Sequence, residues 1–291
     1  MYTRREFGTL ALAGLALPRL AAAAIDSTVA GVRLGVQTYS FRDLPRTPGG
    51  DAIEPILKAM ADCSLTECEL WSPQVEPAGK SREELRAWRL ETPLSFFREV
   101  KKKFDAAGIR IYAFNYSPNA SYTDQEIDRG FEMAKALGAQ IITSSTTLAV
   151  AKRIVPFAEK RQTVVAMHGH SNVSDPNEFA TPQSFAAAMQ MSKYFKVNLD
   201  IGHFTAANYD ALAYIREHHA GVTNLHLKDR KKNQGANTPW GEGDTPIREV
   251  LQLLKRERWQ IPAYIEYEYA GQGTPIEEVK KCYAYANESL G

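Results

Sequence analysis

From residue 33 onward, short apolar runs alternate with longer stretches in which apolar positions recur every three or four residues. Runs of the first kind have the length of buried strands, the stretches between them have the period of amphipathic helices, and their regular alternation predicts consecutive βα units. Eight strand-length runs stand out: Arg33–Tyr39, Thr66–Trp71, Arg110–Asn115, Gln140–Ser144, Thr163–His168, Lys196–Asp200, Val222–Leu227 and Ala263–Glu268. Helical periodicity fills the intervals at Pro93–Ala107, Asp124–Leu137, Pro182–Tyr194, Tyr209–His218, Pro246–Arg256 and Pro275–Glu288. Thr92, Thr181, Thr245 and Thr274 each stand directly before a proline, which predicts a capping hydroxyl followed by proline in the first helical turn. The polar connection from Trp71 to Glu91 is expected to combine an irregular loop with part of a helix and to wall a pocket. Eight such units define an α/β chain folded as one (β/α)8 barrel, for which roughly 250 residues is typical.

The first 24 residues do not fit this pattern. Thr3-Arg4-Arg5-Glu6-Phe7 precedes a short apolar stretch, Leu10 to Leu17, and then a run of alanines, Ala21 to Ala24. A basic start, an apolar middle and small residues at a cut site describe an export signal, and the paired arginines point to the twin-arginine route. The apolar stretch is shorter than the roughly 20 residues a membrane span requires, so no stable membrane anchor is expected after processing. Residues 1–24 are thus read as an address, residues 25–291 as the barrel, and the destination as the periplasm or the cell exterior.

A net charge of +1 with acidic and basic residues interspersed leaves no electrostatic footprint for nucleic acid. A small, uncharged partner suits this balance. The one dense basic run, Lys228 to Lys232, reads equally as a solvated loop or as a substrate-facing one. The three cysteines, Cys63, Cys68 and Cys282, lack the close spacing of a structural zinc site and are read as packing residues.

The candidate chemistry lies at the ends of the last four strands, in the segments VVAMHGH, VNLDIGH, VTNLHLKD and AYIEYEY. A barrel turns the C-terminal ends of its strands toward one face, so His168, Asp200, His226 and Glu266 are expected to converge there. Mixed imidazole and carboxylate ligands suit Mn, Zn, Co or Fe better than Mg or Ca. The strand period of two puts Glu268 on the same side as Glu266, His170 with His168, and Lys228 with His226.

The chain resembles the sugar phosphate isomerase/epimerase superfamily of xylose isomerase-like TIM barrels. The likeness starts at LGVQTYSFRD and TECELW and is carried most specifically by AMHGH, LDIGHF, NLHLKDR, GEGDTPI and YIEYE in that order. It implies a divalent metal, most often Mn with Zn or Co as alternatives, held by His168, Asp200, His226 and Glu266 and chelating a sugar hydroxyl and carbonyl. Ketose epimerases of this family use a glutamate on the fifth strand and one on the eighth; Glu266 matches the latter, whereas His168 replaces the former. His168 would serve as a ligand or as a general base. Glu266, His168 and Lys228 are the expected catalytic groups, and Lys228 would stabilise an oxyanion or a phosphate, or else pair with Glu69 or Glu242. Glu69, Trp71, His170, His203, Glu242 and Glu268 are the expected substrate contacts, with Trp71 offering a stacking face to a sugar ring.

The resulting expectation is an exported, metal-dependent isomerase or epimerase, or a keto-glycoside lyase, acting on a small-molecule carbohydrate by proton abstraction beside a carbonyl. A non-catalytic periplasmic carbohydrate-binding barrel is the alternative. No nucleic-acid partner is expected, and an oligomer paired through the barrel helices stays open.

Overall fold

The computed structural model describes residues 26–46 and 49–291. The export segment read from residues 1–24 lies outside them. After a two-residue antiparallel ribbon at Thr28–Val29, eight parallel strands follow: β1 (Val32–Gln37), β2 (Glu67–Trp71), β3 (Arg110–Asn115), β4 (Ile141–Ser144), β5 (Val165–His168), β6 (Phe195–Asp200), β7 (Val222–Leu227) and β8 (Ala263–Ile265). Each pairs with the next, and β8 returns to β1 through Leu34 opposite Ala263, Gly35 opposite Tyr264 and Val36 opposite Ile265. The ring is closed, so no strand edge is left unpaired. Ten helices, α1 (Ile53–Asp62), α2 (Arg82–Glu91), α3 (Leu94–Ala106), α4 (Asp124–Ala136), α5 (Leu148–Arg161), α6 (Pro182–Met191), α7 (Ile201–Ala206), α8 (Ala211–His218), α9 (Ile247–Glu257) and α10 (Pro275–Leu290), fill the connections. This is a (β/α)8 TIM barrel. No helix among the described residues is long and apolar enough to cross a membrane.

Each of the eight predicted strand runs contains a strand. The last stops early, at Ile265 rather than Glu268, because β1 turns at Thr38 into a 3-10 helix and leaves no ladder partner beyond. The Ser40 hydroxyl substitutes, accepting from Tyr267 N and donating to Ile265 O. Two of the four Thr-Pro starts cap as expected: Thr181 and Thr274 each accept from the backbone N–H three residues on and complete a capping box. Thr92 instead ends α2, and Pro93 takes the cap position of α3. Thr245 faces the other way, its hydroxyl accepting from Arg230 N. The polar connection after β2 resolves into a 3-10 turn, Ser72–Gln74, and then α2, started by a capping box between Ser81 and Glu84.

Along the later strands, inward polar residues alternate with apolar ones that belong to the barrel–helix core. Asn198 and Asp200 flank Leu199, and Asn224, His226 and Lys228 alternate with Leu225 and Leu227; all eight are buried. Leu199, Leu225 and Leu227 share one apolar cluster with Ile215, Val250 and Leu254 of the surrounding helices. Cys63, Cys68 and Cys282 are buried and unpaired.

Candidate metal centre and active site

The ends of β5, β6, β7 and β8 bring His168, Asp200, His226 and Glu266 together, with one ligand atom from each lying within 4.8 Å of the others. Two ligands of one tetrahedral zinc ion stand roughly 3.4 Å apart, so a modest contraction would bring the four atoms to coordinating separation. All four residues are buried, and His168 Nδ1, Asp200 Oδ2, His226 Nδ1 and Glu266 Oε2 have no hydrogen-bond partner. Buried polar atoms are nearly always bonded, so four without a hydrogen bond, two of them 3.3 Å apart, fit a site for a cation. The donor set of two imidazoles and two carboxylates fits a divalent transition metal.

Neighbours fix how each of these groups is presented. Asp200 caps α7 with Oδ1, which accepts from His203 N at 2.7 Å, and so leaves Oδ2 for the cluster. Gly202 makes this turn feasible, since a Cβ there would stand 2.5 Å from Lys228 O. His226 Nε2 lies 2.9 Å from Glu69 Oε2, which places one ring proton on Nε2 and turns Nδ1 to the cluster, 3.3 Å from Glu266 Oε2. Glu69 is itself held by amide donors from three other strands and one more of β7: Gln37 Nε2 at 2.5 Å, Asn115 and Asn198 Nδ2 at 3.2 Å, and Asn224 Nδ2 at 2.9 Å.

Burial and charge set the protonation states. Burial alone would push the His226 imidazolium down, but Glu69 and Glu266 overcome it and hold the group well above the usual range. Burial, and then the His226 and His170 rings, keep His168 well below its ordinary value and therefore neutral. Asp200 is pushed up to about 7 by burial, against the attraction of Lys228. Glu266 is also raised by burial, but Lys228 and His226 win and hold it well below the usual carboxylate range.

Lys228, itself only 2% exposed, lies at ion-pair distance from Asp200 Oδ2 (3.2 Å), Glu266 Oε2 (2.9 Å) and Glu268 Oε2 (2.6 Å). His203 stands between two cations: Arg230 Nη1 is 2.7 Å from Nδ1 and Lys228 Nζ 3.1 Å from Nε2. Burial, then Lys228, keep its imidazole neutral, with a single acceptor nitrogen. Arginine only donates, so the shorter contact makes Nδ1 the acceptor and puts N–H on Nε2. This matters because His168, His170 and His203 form a second group of converging imidazoles. With its one lone pair engaged by Arg230, His203 has none for a metal, which makes the four-residue set the better candidate for one.

His168, His203, His226, Lys228 and Glu266 form one wall of a cavity of about 190 Å³. Gln37, Tyr39, Trp71, Asn115 and Ser145, from the first four βα units, form the other wall, which is neutral. Trp71 packs edge-on against Tyr39 with ring centroids 4.9 Å apart. His170 lines the rim, 40% exposed, with Nδ1 3.5 Å from Glu178. Glu268 also lines the cavity, and Glu266 lies deeper.

Three sequence expectations change. Glu69 does not reach the cavity as a substrate contact: it is wholly buried beneath the cluster, because five donors from inside the ring compensate it there. Glu242 lies on an exposed loop away from the cavity. Buried Asp229 fastens that loop by accepting from Gly241, Gly243 and Thr245 N–H groups, which leaves the Glu242 side chain outside. Lys228 accordingly pairs with neither Glu69 nor Glu242, but with Asp200, Glu266 and Glu268. Sequence reasoning also passed over Gln37, Asn115, Asn198 and Asn224. The signal was there in the alternation, since Asn198 and Asn224 each stand two residues before a proposed ligand on the same strand face.

The chain belongs to the xylose isomerase-like TIM barrel family, which it matches over residues 57–285. No curated protein matches it. Among solved structures, a sugar phosphate isomerase/epimerase from Parabacteroides distasonis superposes with a TM-score of 0.60 at 20% identity, covering 89% of this chain and 97% of that one. The IOLI protein, solved with a bound zinc atom, gives 0.65 at 12% identity, with 88% and 97% covered. The 3-keto-D-glucoside 4-epimerase YcjR of E. coli gives 0.60 at 11% identity, with 88% and 99% covered. At these identities the likeness is one of fold.

Proposed function

We propose that this protein is a divalent-metal-dependent enzyme that removes a proton beside a carbonyl of a small carbohydrate. It acts as an isomerase or epimerase, or as a lyase on a keto-glycoside. The observation that carries the reading is the set of four buried atoms without a hydrogen bond, gathered at the ends of the last four strands, three of whose residues line a polar cavity. A sugar phosphate isomerase/epimerase, a zinc-containing protein and a keto-glucoside epimerase among the structural neighbours support it.

His168, Asp200, His226 and Glu266 would hold the ion, with Mn, Zn or Co suited to this donor set. Bound there, it supplies Lewis acidity for the negative charge that develops on a carbonyl oxygen when the adjacent proton leaves. The residues do the rest. His203 presents a neutral Nε2–H, and Lys228 a positive charge, toward the same side of the cavity, where an oxygen gaining charge is stabilised. Ionised Glu266 keeps a second oxygen as a base at that wall, while neutral His168 has one lone pair, which serves either the ion or the proton. Trp71 and Tyr39 offer flat faces to a sugar ring, and Gln37, Asn115 and Ser145 offer hydrogen bonds to its hydroxyls.

The substrate is a free sugar or a keto-glycoside rather than a sugar phosphate. Lys228 already faces three carboxylates, and Arg230 is engaged by His203, Ser171 and Gly235, so the described cavity wall offers no uncommitted cation to a phosphate. The twin-arginine signal read at residues 1–24 argues the same way, since it would place the enzyme outside the cytoplasm, where sugar phosphates are scarce.

Elemental analysis of the purified protein beside an Asp200→Asn, His226→Asn variant tests the metal, with near-stoichiometric Mn, Zn or Co expected in the first and none in the second. Incubation with ketoses and keto-glycosides in heavy water tests the chemistry, with deuterium expected at a carbon next to the carbonyl. A wild-type protein without metal, or one that exchanges no proton with any of these sugars, would overturn the reading.

A further inference from the structure

Lys228 shares its neighbours with the candidate metal. Two of the four unpartnered ligand atoms, Asp200 Oδ2 and Glu266 Oε2, are the atoms its ammonium faces, at 3.2 and 2.9 Å. Neither accepts a hydrogen bond from it in good geometry. Lys228 therefore compensates their charge without consuming their lone pairs. Its shortest ion pair, 2.6 Å, is with Glu268, which belongs to neither converging group and is the more exposed of the two glutamates. On its other side stands His203 Nε2, whose N–H repels it.

We propose that Lys228 is a resident cation that competes with the metal. With no ion bound it offsets Asp200 and Glu266, and when a divalent ion enters it withdraws from these two oxygens onto Glu268. Lys228 thereby sets the affinity of the site. The inference rests on the metal reading above and adds a regulator to it. The electrostatics run in one direction: a fixed positive charge about 3 Å from two ligand oxygens opposes a dication bound to the same oxygens, and low-dielectric surroundings enlarge that opposition. The design keeps the carboxylates assembled in a metal-free barrel, where two bare, buried negative charges would repel each other.

The test is metal affinity, measured on stripped protein by chelator competition with Zn²⁺ and Mn²⁺. Lys228→Met is expected to bind about tenfold tighter or more, whereas Lys228→Arg, which keeps the charge, stays within a few-fold of wild type. Metal-free Lys228→Met should also melt below metal-free wild type, and the gap between its metal-free and metal-loaded melting temperatures should be the wider. If Lys228→Met does not fold without metal, Glu268→Gln carries the test: with its resting place removed, Lys228 should crowd the ligands and weaken binding, while Glu242→Gln on the exposed loop changes nothing. Equal or weaker binding by folded Lys228→Met, or unchanged binding by Glu268→Gln, overturns the inference alone. An absence of binding by wild type and every variant overturns the metal reading along with it.

Discussion

Two buried groups in this barrel each set cations against carboxylates and serve opposite ends. One is the mouth cluster of Asp200, His226, Lys228 and Glu266. The other lies between α2 and α4, where Arg89 donates through Nε and Nη2 to both oxygens of Glu76, at 2.7 and 2.8 Å, and through Nη1 to Glu126 Oε1 at 3.3 Å. Glu126 Oε2 accepts further bonds from Thr123 N and Oγ1 and from Arg86. Tyr122 covers the guanidinium face at 4.6 Å. Every carboxylate oxygen of this outer group has a donor, and none of its atoms is left unpartnered. At the mouth, each of the four proposed ligands keeps one open atom. Burial and charge alone thus do not mark a site; incomplete satisfaction does. The outer group is a brace that ties α2 to α4, and the inner one, on the proposed reading, would be a receptor for a cation.

If so, the two should fail differently. Arg89→Met strands Glu76 and Glu126 without their shared donor and should cost about 3–5 kcal/mol of unfolding free energy by urea titration, with metal content per folded molecule unchanged. The Asp200→Asn, His226→Asn pair should show the reverse. Wild type in metal at a hundredfold over its dissociation constant should gain about 2.7 kcal/mol, read as a shift of the unfolding midpoint, and the double variant should gain nothing. An equal gain in both would put the ion elsewhere.

The acid response separates them further. Burial raises Glu126, but the Thr123 bonds and Arg89 outweigh it and hold the carboxyl below its ordinary 4.5. A carboxylate lowered by folding adds stability above its unfolded value and loses it as pH falls through the lower folded one. Glu126→Gln should therefore fall short of wild type most at neutral pH, and the shortfall should shrink in acid; a constant difference would remove the charge from the account. The smallest effect expected is that of Tyr122→Leu, about 1 kcal/mol from the lost ring face over Arg89, again with metal binding untouched.

Much of this was legible in the chain. The eight strands could be located because a parallel barrel strand is buried on both sides and reads as a short apolar run between helical periods. The four converging ligands followed from position alone, since strand C-termini meet at one face. The Glu69 hub was not legible. Its partners Gln37, Asn115, Asn198 and Asn224 come from four strands, and an amide near a strand end carries no mark of the carboxylate it will meet across the ring. The loop holding Glu242 was misplaced for a similar reason: nothing in the sequence marks Asp229 as the clasp that turns the loop away. Thr92 and Thr245 carried the right sequence for a cap, but Arg230 N and the end of α2 claimed those positions first.

The closure of the ring between β1 and β8 has a consequence for how the protein is made. Three residue pairs join strands more than 220 positions apart, and Glu266 and Glu268 lie just past the last of them. On the ribosome, every other strand is finished and waiting before this seam can form, so contacts of the longest sequence separation come last and govern the pace of folding. A nascent or truncated chain that stops short of Ile265 has Asp200, His226 and Lys228 but no seam and no Glu266. On the proposed metal reading, ion uptake would wait for this seam, and a metal-loaded molecule would be one in which β8 has closed the ring.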